Sequence, residues 1–170
     1  MTSAELRALQ APLKNHYKED PAAARVTSTA EASLRPGAVQ VGVHAGNQVV
    51  EAGLHPATGG DGSLRCSADM VLEALVACAG VTLQAVATAM GIPVRSGRVR
   101  AEGDWDVRGT LGVSREVPVG LTAVRLYFDL DSEASPEQLG KLLELAERFC
   151  VVAQTLRAGV PVTVSLVPRS

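Results

Sequence analysis

The groups in this chain best suited to chemistry are its sulfurs. Cys66, Cys78 and Cys150 are an odd number of thiols at wide spacing, which is not the framework of a secreted, disulfide-stapled domain. In a reducing compartment such thiols act as reactive groups or as packing. Cys78 lies in the middle of an apolar run, and Cys150 ends the segment Glu147-Arg-Phe-Cys150 in a second, amphipathic run. A thiol attacks as its thiolate. With a pKa of about 8.5 it is only about 7% ionised near pH 7.4, so complete ionisation gains roughly 14-fold, or about 1.5 kcal/mol. Two other chemistries find no support. His55, Cys66 and Cys78 fit no zinc spacing, and the loop Thr58-Gly-Gly-Asp-Gly62 has neither the lysine of a phosphate-binding loop nor dinucleotide glycine spacing.

The elements that must carry the two thiols are readable. After Glu73 no charged side chain occurs until Arg95, so residues 69–90 predict a helix that is apolar all round and therefore buried. Ser67 is a candidate cap, Asp69 suits the positive end of the dipole, and Gly91 before Pro93 supplies the stop. About 20 uncharged residues are enough to span a bilayer, but Ala, Gly, Thr and Gln are weakly apolar and no second span exists, which favours a core helix over a membrane segment. Ser135-Pro136-Glu137 starts the second helix. Its stripe runs through Leu139, Leu142, Leu143, Ala146, Phe149 and Ala153. Cys150 sits at the edge of that stripe with Glu147 and Gln154, near a polar boundary.

Alternation of period two predicts the strands. Arg25 to Leu34, the run carrying Val39, Val41 and Val43, and Gln48 to Leu54 form a three-stranded meander. Residues 98–106 are a half-exposed strand and 124–130 the clearest strand, with a mixed polar loop or a ragged strand pair over 107–120, and Val160, Val162, Val164 and Leu166 alternate in a last strand. Leu6, Leu9 and Leu13 mark an amphipathic arm before Asp20-Pro21. Helices separated by strands in this order give an α+β domain over residues 25–170, preceded by an arm or extension over 1–24.

Composition narrows the function classes. The chain has 170 residues, 46% of them hydrophobic, with net charge -2 and pI near 5.9. That is enough for one sizeable core and argues against a nucleic-acid or anionic-membrane surface. Two Phe, two Tyr and one Trp leave no platform for stacking bases. The N-terminal residues lack an apolar run of signal-peptide length, so the expected location is cytoplasmic.

Two segments carry a family resemblance. Ser67-Ala-Asp-Met-Val-Leu-Glu-Ala-Leu-Val-Ala-Cys78 and Glu147-Arg-Phe-Cys150-Val-Val-Ala are similar to the two cysteine segments of the osmotically inducible protein C (OsmC) superfamily, which includes the organic hydroperoxide resistance (Ohr) proteins. The resemblance implies antiparallel sheets wrapped around a long buried central helix, in an intertwined homodimer with thiol sites between subunits. It implies a cysteine-based peroxidase that reduces organic hydroperoxides: Cys78 attacks, Cys150 resolves the sulfenic acid as a disulfide, and an external dithiol restores both, with no cofactor. It implies also an Arg, held by a carboxylate, that stabilises charge on the departing oxygen. Asp69 best matches the carboxylate, with Glu73 second. On an ideal helix they lie about 180° and about 140° from Cys78, so either must act through a loop Arg or across a subunit interface. The Arg candidates are Arg25, Arg35 and Arg65, then Arg157. Cys66 has no counterpart. The alternative reading is a non-catalytic dimer that binds a small apolar ligand in the interfacial pocket.

Overall fold

The computed structural model describes residues 1–167. An arm helix α1 (Ser3–Glu19) is started by a capping box, in which Glu5 N donates to Thr2 Oγ1 and Thr2 N donates to Glu5. None of its residues is buried, and it lies against the central helix. Strands β1 (Glu31–Leu34), β2 (Gln40–Ala45) and β3 (Gln48–Gly53) form the antiparallel meander that alternation predicts. The first strand is shorter than its sequence pattern. Residues 25–30 alternate but have no neighbour to bond with, and a strand exists only where a ladder does. The two residues of β4 (Arg65–Cys66) add to β3 in parallel and lead directly into the central helix α2 (Ser67–Met90).

Helix α2 starts one residue earlier than expected. Cys66 occupies the cap position without a side-chain hydrogen bond, and Ser67 is the first helical residue, so the anticipated serine cap does not form. The stop does: Gly91 is left-handed (φ 68°), and its N–H reaches Ala87 O and Thr88 O. The chain then crosses to a two-stranded antiparallel sheet, β5 (Ser96–Trp105) and β6 (Leu121–Asp131), with Val99 opposite Phe128 and Ala101 opposite Leu126. Between them lies a helical turn, α3 (Val107–Thr110), and an irregular loop.

The helix beginning at Pro136 breaks at Cys150, giving α4 (Pro136–Phe149) and α5 (Val151–Ala158). Its start is as predicted: Ser135 and Gln138 form a capping box around Pro136. Every fourth residue of α2, Leu75, Ala79, Leu83 and Ala87, is buried. Leu83 and Ala87 pack with Ile92, Leu142 and Ala146, and Leu75 and Ala79 pack with Cys150. Phe128 touches both clusters.

In one chain the central helix is therefore buried along a stripe and not all round. Val71 and Val81 on it are exposed. The expected last strand also lacks a partner: residues 160–166 form no ladder, and Val162, Val164 and Leu166 are 82%, 90% and 94% exposed. Its alternation is real, but a single strand without a hydrogen-bonding neighbour is not a sheet element.

Leu142 is 0% exposed at the centre of the larger cluster. Leu142→Ala should lower unfolding free energy by about 2–5 kcal/mol, read as a fall in the urea midpoint with an unchanged slope.

Candidate functional site

Cys78 and Cys150 meet. They are far apart in sequence, but the two sulfurs are within hydrogen-bonding reach, with the Cys150 thiol directed at Cys78. Cys150 is 0% exposed, so the polar boundary expected at this position lies beside it and not at it. Cys78 is half-buried at the edge of the same cluster, whose apolar members include Leu75, Val99, Ala101, Leu126 and Phe128. Both thiols are reduced.

The helix break makes the site. Cys150 has extended backbone (φ -75°, ψ 108°), so α5 starts afresh beside α2 and points its first amides inward. No side chain caps α5. The amides of Val151 and Val152 face the Cys78 sulfur, and Thr82, one turn along α2, offers its hydroxyl. Burial pushes the Cys78 thiol up, but the Val152 amide, the Cys150 thiol, the Val151 amide and Thr82 together outweigh it and leave Cys78 more acidic than an ordinary thiol. Cys150 moves the other way. Burial raises it, the neighbouring Cys78 adds to the rise, and the amides of Ala153 and Val152 only partly oppose this.

The carboxylate candidates stand elsewhere. Asp69 and Glu73 are exposed on the first turns of α2, and neither is among the groups acting on Cys78, as the helical angles require. Glu73 holds Arg65 at 3.0 Å, and Arg35 is held by Glu51 of β3. Arg157 is held by Glu147 at the far side of the helix break. Arg25 is exposed and forms no ion pair among the described residues. Among the described residues no arginine acts on Cys78. Cys66 is buried at the β4–α2 junction, away from the pair. His55 accepts from Ala57 N at 3.0 Å and stands edge-on to Trp105. Among the described residues no cluster of metal-ligating side chains occurs.

Sequence reasoning missed three polar partners of Cys78. Thr82 is four residues after Cys78 and so lies on its face of α2, a signal available in the spacing. The amides of Val151 and Val152 carry no such signal, since they depend on a break that neither Gly nor Pro marks. A groove of about 610 Å³ opens beside the thiol cluster, with Leu75, Leu126, Phe128 and Ala153 on its wall and Glu147 and Arg157 at its rim.

A sequence profile of the OsmC-like protein family matches residues 60–165, which include both thiols. The chain belongs to the OsmC-like family. No protein among curated relatives matches it. Solved structures share the fold. An OsmC-like protein from Mycoplasma pneumoniae is 16% identical over 79% of this chain and 89% of its own, with a TM-score of 0.66. An organic hydroperoxide resistance protein OsmC from Legionella pneumophila is 16% identical over 78% of this chain and 92% of its own, with a TM-score of 0.61. The organic hydroperoxide resistance protein OhrB of Bacillus subtilis is 17% identical over 78% of this chain and 93% of its own, with a TM-score of 0.53. At these identities the likeness is one of fold.

The opposed shifts of this OsmC-like pair have a direct consequence. A lowered thiol keeps its thiolate to lower pH, and a raised one loses it sooner. In the reduced protein, alkylation of Cys78 by iodoacetamide should therefore rise with a midpoint below the ordinary thiol range of about 8.5. Cys150 should lag it by a clear interval. Peptide-resolved mass spectrometry against pH checks this, and equal midpoints would contradict the asymmetry.

Proposed function

We propose that the protein is a thiol-dependent reductase of organic hydroperoxides, with Cys78 as the attacking thiol and Cys150 as the resolving one. The observation that carries this reading is the contact between two reduced thiols of opposite acidity in an apolar pocket. The fold shared with organic hydroperoxide resistance proteins is consistent with it.

The chemistry follows from the arrangement. The Cys78 thiolate attacks the terminal oxygen of the hydroperoxide, and the O–O bond breaks with its electron pair leaving on the alkoxide. The Cys150 thiol, held protonated by burial and by the charge beside it, is placed to give that alkoxide its proton. Cys78 is now a neutral sulfenic acid, so the charge that opposed ionisation of Cys150 is gone. The Cys150 thiolate attacks the sulfenic sulfur and expels hydroxide, which takes up the proton first lost by Cys78. Two thiols and one hydroperoxide become one disulfide, one alcohol and one water. An external dithiol then returns both cysteines to thiols by exchange.

A homodimer belongs to the same proposal. The exposed apolar residues Val71 and Val81 of α2, Phe149 and Val151 at the helix break, and the unpaired residues 160–166 are positions that a second copy of this chain would cover. Asp69 and Glu73, with an Arg from one of the carboxylate-held set, would then serve the site across the interface. A cytoplasmic, reducing location keeps the thiols ready.

Excess cumene hydroperoxide should convert the reduced protein to one Cys78–Cys150 disulfide, seen by peptide mapping, with one hydroperoxide consumed per disulfide formed. Cys78→Ser should abolish consumption. Cys150→Ser should stop at a sulfenic acid that dimedone traps. The particle mass by light scattering should be twice the 17.7 kDa of the chain. Free Cys78 and Cys150 after excess hydroperoxide would end the redox reading. A co-purifying apolar molecule in native mass spectrometry would then favour the binding-protein alternative, for which the 610 Å³ groove is the candidate site.

A further inference from the structure

The corner between α4 and α5 is held by unusual bonds. Helix ends leave carbonyls without intrahelical partners, and at the end of α4 the Glu147 carbonyl is taken by the side chain of Gln154, whose Nε2 donates at 2.9 Å. The same carbonyl receives Cys150 N at only 3.3 Å. Gln154 also belongs to α5, where its own amide donates to Cys150 O at 3.0 Å. One residue therefore ties the first turn of α5 to the last turn of α4. The other tie is the Glu147–Arg157 ion pair, which is 46% and 68% exposed and so weak.

This corner sets where the amides of Val151 and Val152 point, and they face the Cys78 sulfur. Losing the Gln154 tie leaves the corner with a long hydrogen bond and a solvated ion pair, and the packing of Val152 and Ala153 on the thiol cluster is apolar and sets no hydrogen-bond angle. The helix itself need not melt. Its first two donors would swing away from a sulfur that they must meet within a few tenths of an ångström and at a favourable angle.

We propose that Gln154 is a positioning residue of the thiol site: its side-chain amide holds the α4–α5 corner so that the amides of Val151 and Val152 stay aimed at Cys78. The inference rests on the reading of Cys78 as the attacking thiol, but it concerns geometry that a peroxide-free measurement can report.

Gln154→Met keeps length, volume and helix propensity while removing the donor. In the full-length reduced protein, the pH midpoint for alkylation of Cys78 should rise by about half to one unit, so that labelling below the midpoint slows about three- to tenfold. Gln154→Leu gives the same reading should the Met variant fail to fold. An unchanged midpoint, even with a lower urea midpoint, would show that Gln154 only stabilises the corner and would overturn the proposal. The two readings separate cleanly. Wild-type Cys78 inert towards cumene hydroperoxide would sink the peroxidase reading, while the midpoint in the variant would still decide the role of Gln154.

Discussion

The site depends on the helix break at Cys150. A continuous helix through residue 158 would spend the amides of Val151 and Val152 on carbonyls four residues back. The break frees them beside the core, and the cap residue Cys150 does not take them up with its own side chain. A donor left without a partner away from water costs about 1–3 kcal/mol, so the most favourable neighbour is an acceptor that gains by accepting. The Cys78 sulfur is that acceptor, and a thiolate accepts more strongly than a thiol. The rest of the fold maintains the encounter: the stripe on α2 fixes the level of Cys78, and Leu126 and Phe128 of β6 pack on the same cluster as Val152 and Ala153 of α5.

The apolar surface of α2 is a second constraint, and one chain meets only half of it. Leu75, Ala79, Leu83 and Ala87 are covered, while Val71 and Val81 face outward. A helix with this composition is long and apolar enough to cross a membrane, yet here its buried stripe packs on α4, α5 and β5. The exposed valines of residues 160–166 pose the same problem in strand form. The proposed second copy of the chain would account for both features together, because an isolated strand gains its hydrogen bonds only by addition to an edge.

Much of this architecture could be read from the residues, for local reasons. Gly91-Ile-Pro93 stops α2 because Gly91 adopts the left-handed conformation and Pro93 cannot continue the helix, and Ser135-Pro136 starts α4 with a capping box whose partner, Gln138, sits at the required spacing. The meander followed from alternation, except where residues 25–30 alternate without a neighbour. What escaped was the corner. Val151 and Val152 disfavour a helix only slightly, so nothing local marks the break, and the contact of the two thiols was visible through family resemblance and not through spacing. Gln154 stood on the face of Cys150 and Glu147, but its bond to a main-chain carbonyl requires that carbonyl to be freed first. The arginine question has a similar cause. Arg35, Arg65 and Arg157 each find a carboxylate close at hand, and ion pairs of this kind cannot be told from composition.

What does the pocket gain from the amides, given that complete ionisation is worth only about 14-fold at neutral pH? Rate is the smaller part of the answer. Two equivalent thiols in contact would share the negative charge, and either could meet the oxidant first, with a buried and an accessible sulfur reacting at random. Here the amides of Val151 and Val152 and the Thr82 hydroxyl favour charge on Cys78, while burial and proximity to that charge keep the proton on Cys150. In the proposed reaction the accessible sulfur is thus the nucleophile and the buried one the acid. Once Cys78 carries oxygen its charge disappears, the restraint on Cys150 is lifted, and the second sulfur becomes reactive only when there is something for it to attack. The proposed order of events would follow from the electrostatics of one helix corner, without requiring either thiol to move far.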